Sequence, residues 1–467
     1  MRTKWLVCTM LVVFLASSVA TPVAAANGDR IVRTKVLDGL PIITAACKFL
    51  GCTVLLSLDT TPGTTAPSSL FLVRGLVDSV LTLLLSILGL AAVEPDLPVG
   101  LAQDDLWASS QASAAVLDHL YNRTPVSYYG TVAWEGYLQQ PANDIVRLRE
   151  THCSLRQTGA GIVAVIDTGV DVSHPTLKPL LVAGYDFTRN VGGGDEKADS
   201  SVGQASAAVL DGAYVVNSST IVMLNQASAA VLDDPANVAF GHGTMVAGVV
   251  HLAAPTAKIM PLKAFRANGQ GYTSDVLRAI YYATKNGAKV LNMSFSRSTS
   301  SAELKRAIDN AVSKGIIAVS SAGNEATSSS RYPAAYDNVV GVASTSNLDT
   351  RSSFSNYGTR NVWVAAPGEG IITTYPFGTF AAAYGTSFAA PYVSGAAALL
   401  VDMQGSASNS QASSAVSRAK RLTTELNYGR VDFYQAVQYG RALWPSAPLS
   451  AVPNTCTYSA VDWSEIQ

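Results

Sequence analysis

Charge is scarce in this sequence. Lys, Arg, Asp and Glu make up 14% of its 467 residues, and 32 basic side chains face 33 acidic ones for a net charge of −1. No sequence-wide field therefore recruits nucleic acid or an acidic membrane, and there is no long basic or acidic tract. Apolar residues reach 48%, which excludes a disordered chain. Cysteine is also sparse: Cys8, Cys47, Cys52, Cys153 and Cys456. No CxxC pair or His-rich cluster suggests zinc, and there is no EF-hand loop. Only five histidines occur, and none follows His251. Uninterrupted apolar runs of the roughly 20 residues that a bilayer needs are missing too. The stretch LVDSVLTLLLSILGLAAV, 76–93, carries Asp78 and is broken by Gly89, so it reads as a packed amphipathic helix followed by a strand.

What is present begins with a leader. Arg2 and Lys4 precede an apolar run from Trp5 to Ala16, and Ala24-Ala25-Ala26 follows. Residues 1–26 read as a secretory signal, which predicts export and no membrane attachment once it is removed. Cys8 leaves with it. The remaining four cysteines allow two disulfides in three pairings. Cys47–Cys52 within the first domain and Cys153–Cys456 in the later one are expected, with free buried thiols as the alternative.

The length suits two or three domains. Residues 27–97 read as strand (IVRTKVL), helix (LPIITAACKFLG), two strands (TVLLSL and SLFLVRG) around the turn TTPGTTAPS, helix (76–88) and strand (LAAVEPD). That order is the ferredoxin-like βαββαβ pattern of a small α+β domain. Residues 98–140 lack periodicity and read as a linker and the start of the next domain. From Gly161 the style changes. GIVAVI, AKIMPLKAF, AKVLNMSF, GIIAVSSAG and NVVGVAS are short apolar runs, with helical stretches such as SDVLRAIYYATKNG between several of them. This alternation predicts an α/β domain over 141–441, with a parallel sheet covered by helices on both faces. A tail follows at 442–467.

Three copies of QASAAVLD stand at 111–118, 204–211 and 226–233, with a worn copy, NSSTIVML, at 217–224. Three copies are too few for a solenoid. They read as strands, with a helix as the alternative because they are rich in Ala, with DGAYVVN and the Asn225-Gln226 junction as turns, and copies two and three lie inside an insertion over about 190–236.

Three residues invite a chemical reading. Asp167 ends the strand in GIVAVIDTGVD, His242 sits between glycines in FGHGTMVAGVV, and Ser387 starts a small-residue helix in YGTSFAAPYVSGAAALL. Singly they are a turn Asp, a helix cap and an N-cap. Together they are a nucleophile, a base and the carboxylate that fixes the base's tautomer. The order Asp, His, Ser excludes an α/β-hydrolase, whose histidine follows the serine.

IDTGVD, GHGTMVAG and GTSFAAPYVSG resemble the three signatures of the subtilisin-like serine proteases, and the likeness spans about 155–436. The resemblance implies a secreted endopeptidase that hydrolyses proteins or peptides through Asp167, His242 and Ser387. SSAGNEA, 320–326, resembles the family's oxyanion segment, with Asn324 as donor and Ala322 and Gly323 beside it. GQGYT (with Gly271 and Tyr272) and NMSFS (with Ser294, Phe295 and Ser296) resemble the walls that bind an extended substrate. Ser296 departs from the usual glycine, which bears on the primary specificity pocket. The 27–97 unit resembles an inhibitory propeptide, which implies a self-processed zymogen. Its tail, VEPDLPV, would lie near the cleft. No cofactor is required; calcium is common in the family, but no motif supports it here, and Asp195, Glu196 and Asp199 read as a solvated acidic loop. The expected product is an extracellular or periplasmic monomer. The alternative is a catalytically weak scaffold of the same fold.

Overall fold

The computed structural model describes residues 29–62, 64, 66–75, 90–101, 119, 122–199, 214–217, 220–223 and 239–450. The leader, the 76–88 helix, all three QASAAVLD copies, Cys8 and Cys456 lie outside them. The chain divides into two compact units: one takes in Met1–Leu58 and Ala66–Asp96, the other Asp59–Thr65 and Leu97–Gln467.

In the first unit, β1 (Arg30–Thr34), α1 (Leu40–Leu50), β2 (Thr53–Ser57), β3 (Leu70–Arg74) and β4 (Leu90–Pro95) form a sheet of order β2-β3-β1-β4. Its neighbouring strands all run antiparallel. Val32, Ile43, Cys47, Phe71 and Val73 make its small core. A disulfide joins Cys47 to Cys52 across the end of α1, where Gly51 is left-handed and the Cys52 N–H bonds the Cys47 carbonyl. β1 stops at Thr34, short of the expected Leu37, which is exposed.

The second unit is built on an eight-stranded sheet. Its strands are β8 (Ile162–Asp167), β9 (Tyr185–Asp186), β10 (Val191–Gly192), β13 (Lys258–Lys263), β15 (Val290–Met293), β16 (Ile317–Ser321), β17 (Val340–Thr345) and β18 (Val364–Pro367), in the order β10-β9-β13-β8-β15-β16-β17-β18. All pairs are parallel except β10 with β9. The five apolar runs singled out in the sequence become the sheet's central strands, buried on both faces as parallel strands must be. The longest helices are α2 (His242–Ala253), α3 (Thr273–Lys285), α4 (Ala302–Ser313), α5 (Thr386–Met403) and α6 (Phe433–Leu443). α2 packs on α5, and α3 packs on α4. Small residues allow the α2–α5 contact: a Cβ on Gly395 would come 2.3 Å from the Ala253 methyl. Every residue of α5 but Asp402 is buried. Each Leu, Val or Phe so placed contributes roughly 1.5–3 kcal/mol.

Much of the stretch read as a linker folds into this unit. β6 (Pro125–Tyr128) and β7 (Thr131–Trp134) form a hairpin. The hydroxyls of Tyr128 and Tyr137 donate to the carbonyls of Leu252 and Gly248 on α2. One turn reading is corrected: within DGAYVVN, Tyr214–Asn217 is a strand, β11, paired with β12 (Thr220–Met223). The β-branched pair Val215-Val216 beside an aromatic favours a strand. β11 also pairs in parallel with β20 (Thr379–Ala383), which pairs with β19 (Ile371–Tyr375).

Candidate active site

β8 ends at Asp167, at the carboxyl edge of the sheet, where α/β folds place ligands. The side chain is fully buried. α2 begins one residue after Gly241, and His242 is its first residue. α2 can abut the β8 turn because residue 243 is glycine: a Cβ there would meet the Gly169 carbonyl at 2.0 Å. This approach sets His242 Nδ1 at 2.7 Å from Asp167 Oδ1, which also accepts the Thr168 N–H at 2.7 Å. Burial opposes the charged imidazole, but the Asp167 charge, its hydrogen bond and the Glu196 charge outweigh burial, and the His242 pKa ends above its ordinary value. Burial pushes His152, His174 and His251 the other way, to about 4 for His152 and about 3 for His251. The histidine held against a carboxylate is therefore the one suited to carry a proton.

Ser387 is the second residue of α5. The N-cap is Gly385, so the serine is not spent on capping. Its hydroxyl donates to the Ser294 carbonyl at 3.2 Å, and the Ser294 hydroxyl donates to the Ser387 carbonyl at 2.9 Å. The Ser387 hydroxyl is not bonded to His242 in this state, although the next residue, Phe388, has its ring 5.3 Å from the imidazole. Rotation about the Ser387 χ1 bond would re-aim the hydroxyl. Asn324 is oriented by Thr386, whose N–H and hydroxyl donate to Asn324 Oδ1 at 2.9 and 2.6 Å. That leaves Asn324 Nδ2, a buried donor without a partner. Buried donors are rarely left unmet, and an oxyanion would satisfy this one.

The two sequence stretches read as substrate walls lie on either side of an extended segment. β5 (Pro98–Gly100) pairs antiparallel with β14 (Gln270–Tyr272), with Val99 opposite Gly271 and Pro98 opposite Tyr272. On its other side Gly100 bridges Ser296. The Leu101 N–H donates to the Gly269 carbonyl at 3.1 Å, and the Ser296 N–H to the Gly100 carbonyl at 3.4 Å. Phe265 and Phe295 join the two walls from behind, with ring centroids 5.2 Å apart. A Cβ on Gly323 would lie 3.4 Å from the Ser296 hydroxyl, so the Ser296 side chain reaches from the Ser294–Ser296 stretch toward the Ala322–Asn324 stretch.

The acidic loop is not a solvated one. Glu196 is 1% exposed and sits under the start of α2. Asp199 pairs with the buried Lys263 at 2.6 Å and with Arg189, which also holds Asp186. Lys197 holds Asp171. Asp171, Asp186 and Asp199 are thus matched by cationic side chains, while the Glu196 oxygens accept from Gly241, Thr168 and Thr244. Among the described residues no group of three or more His, Cys, Asp or Glu could hold a metal. Cys153 is also disulfide-bonded; the residue read as its partner, Cys456, lies outside the described residues.

Residues 159–437 match the subtilase family model. The chain belongs to the subtilase family. Over 279 residues this subtilase is 35% identical to thermitase of Thermoactinomyces vulgaris, a match that covers 59% of this chain and 88% of that protein. It is 36% identical over 291 residues to the thermophilic serine proteinase of Bacillus sp. strain AK1, covering 59% of this chain and 61% of that one. Among solved structures, fervidolysin from Fervidobacterium pennivorans, a keratinolytic enzyme related to subtilisin, superposes with a TM-score of 0.62 at 23% identity. The superposition covers 91% of this chain and 62% of that one. This subtilase is thus a subtilisin-like serine endopeptidase that acts on peptide bonds, on an α/β fold with a mostly parallel sheet. Among the described residues no helix is long and apolar enough to cross a membrane.

Proposed function

We propose that this subtilase is a secreted endopeptidase, made as a zymogen, in which Ser387 attacks the peptide carbonyl and His242 moves the proton. Asp167 fixes the imidazole, and Asn324 receives the oxyanion. The observation that carries this reading is the buried, unpartnered Asn324 Nδ2, held by Thr386 beside the turn that bears Ser387. In the first step His242 Nε2 takes the Ser387 proton as the Ser387 oxygen bonds to the carbonyl carbon. The carbonyl oxygen becomes an oxyanion between Asn324 Nδ2 and the Ser387 N–H. His242 then gives the proton to the departing amine, the C–N bond breaks, and an acyl-enzyme remains. Water, deprotonated by the same histidine, releases it. No step calls for a cofactor.

His242 must be neutral to act as base. Because Asp167 and Glu196 raise its pKa, the acid limb of kcat/KM should have its midpoint above the ordinary histidine value of about 6.5. A pH profile with a small peptide substrate checks this; a midpoint below 6.5 would contradict it.

Self-processing is supported by the register of residues 97–101. Gly100 faces Ser296 in antiparallel pairing, so a chain continued by two residues reaches Ser294, the residue whose carbonyl the Ser387 hydroxyl touches. The bond cut in maturation is accordingly Ala102–Gln103, two residues past Gly100. The 27–97 unit then acts as the intramolecular inhibitor, after removal of the 1–26 leader, and the mature enzyme is an exported monomer with the Cys153–Cys456 disulfide. The test is to express the full chain, assay hydrolysis of an unfolded protein, and sequence the N-terminus of the active form. Gln103 is expected. An active form that begins outside residues 102–105 would overturn the register.

A further inference from the structure

We propose that Glu196 is a positioning residue for the catalytic histidine: its buried carboxylate clamps the turn after β8 to the first turn of α2. Helix starts leave N–H groups without intrahelical partners and favour negative charge, and at α2 one side chain gathers them. Glu196 Oε1 accepts the Gly241 N–H at 2.8 Å and the Thr168 hydroxyl. Oε2 accepts the Thr244 N–H at 3.1 Å and the Thr244 hydroxyl at 2.5 Å. The Thr168 oxygen in turn accepts the Gly243 N–H at 2.9 Å, and the Thr168 N–H bonds Asp167 Oδ1. Thr168, Gly241 and Gly243, which flank Asp167 and His242, are thus tied to Glu196 directly or through Thr168. The acid is itself held, since its N–H donates to the Val170 carbonyl at 3.2 Å.

The clamp works on geometry and on charge. The triad depends on placement: an error of about 1 Å costs on the order of 10²-fold in rate. The charged and titratable groups that act on the carboxylate are Lys263 on β13, Asp167 on β8 and His242 on α2; Lys263 in turn pairs with Asp199. Burial raises the Glu196 pKa to about 7, so it carries its charge, and adds negative potential at His242, chiefly above that pH. Thr168 and Thr244 share one buried acceptor, so replacing Glu196 strands donors on both elements at once.

The inference rests on the triad reading, and the test keeps the two apart. Glu196→Gln, Glu196→Asp and Ser387→Ala are compared as folded, mature proteins, processed in trans by the wild type. Glutamine cannot accept on its NH₂ side. Glu196→Gln should lower kcat roughly 10²-fold with KM little changed, and should move the acid limb of kcat/KM to lower pH. Glu196→Asp keeps the charge but is one methylene short, so kcat should fall while the acid limb stays. A Glu196→Gln enzyme with normal kcat, or with its loss confined to KM, overturns the inference. If Glu196→Gln does not fold, Glu196→Asp with normal kcat does the same. An active Ser387→Ala enzyme would instead overturn the triad reading.

Discussion

Ser387→Ala should lower kcat by about 10⁶-fold, a magnitude that is subtilisin's own, and should leave the precursor uncut when expressed alone. The argument is local. Ser387 stands at the start of α5 with its oxygen against Ser294 and the free Asn324 amide nearby. Alanine removes the atom that must bond to the carbonyl carbon and leaves the fold's hydrogen bonds almost untouched, since the hydroxyl serves one carbonyl. The residual rate would come from Asn324 and from substrate held along the two walls. Adding His242→Ala should cost little more, because a base without a nucleophile has nothing to activate. Steady-state hydrolysis of a peptide by single and double variants checks both. A further large loss in the double variant would show that His242 acts on something other than Ser387.

Asp167→Asn should be the next largest effect, about 10⁴-fold in kcat, the scale measured for the corresponding change in trypsin-like enzymes. Asp167 Oδ1 accepts from His242 Nδ1 and from the Thr168 N–H at once. Asparagine removes the negative charge that stabilises the imidazolium, and with its NH₂ placed against Nδ1 it selects the tautomer with the proton on Nε2. That imidazole cannot accept the Ser387 proton. Substrate binding does not involve Asp167, so KM should change little. A loss mainly in KM would mean that the carboxylate shapes the binding walls instead.

The site was legible where chemistry and backbone demands coincide in a few adjacent residues. Asp167 ends an apolar strand, and His242 lies between glycines that a close helix approach requires. Ser387 and Asn324 each sit in a run of small residues, and the structure brings the last two together through Thr386. The parallel strands were legible as continuous apolar runs. Glu196 was not, because its neighbours Asp195, Lys197 and Asp199 give the loop the composition of a solvated turn. Only the docking of α2 on the β8 turn buries it. Tyr214–Asn217 was misread because Asp211-Gly212 suggested a turn, while the strand signal in YVV was present and stronger. Residues 122–134 carried no periodicity because a short hairpin and two-residue alternations leave little pattern to see. Ser296 was flagged as a departure, but its reach toward Gly323 depends on how two walls far apart in sequence face each other.

The central claim is that Ser387 is the nucleophile. Its most direct test is to treat the mature enzyme with a serine-directed phosphonylating or sulfonylating inhibitor and to locate the adduct by peptide mass spectrometry while following hydrolysis. The account predicts one adduct per active chain, on Ser387, with activity lost in proportion to labelling and no labelling of the Ser387→Ala protein. Full inactivation with the adduct on another residue, or full activity with Ser387 labelled, would contradict it.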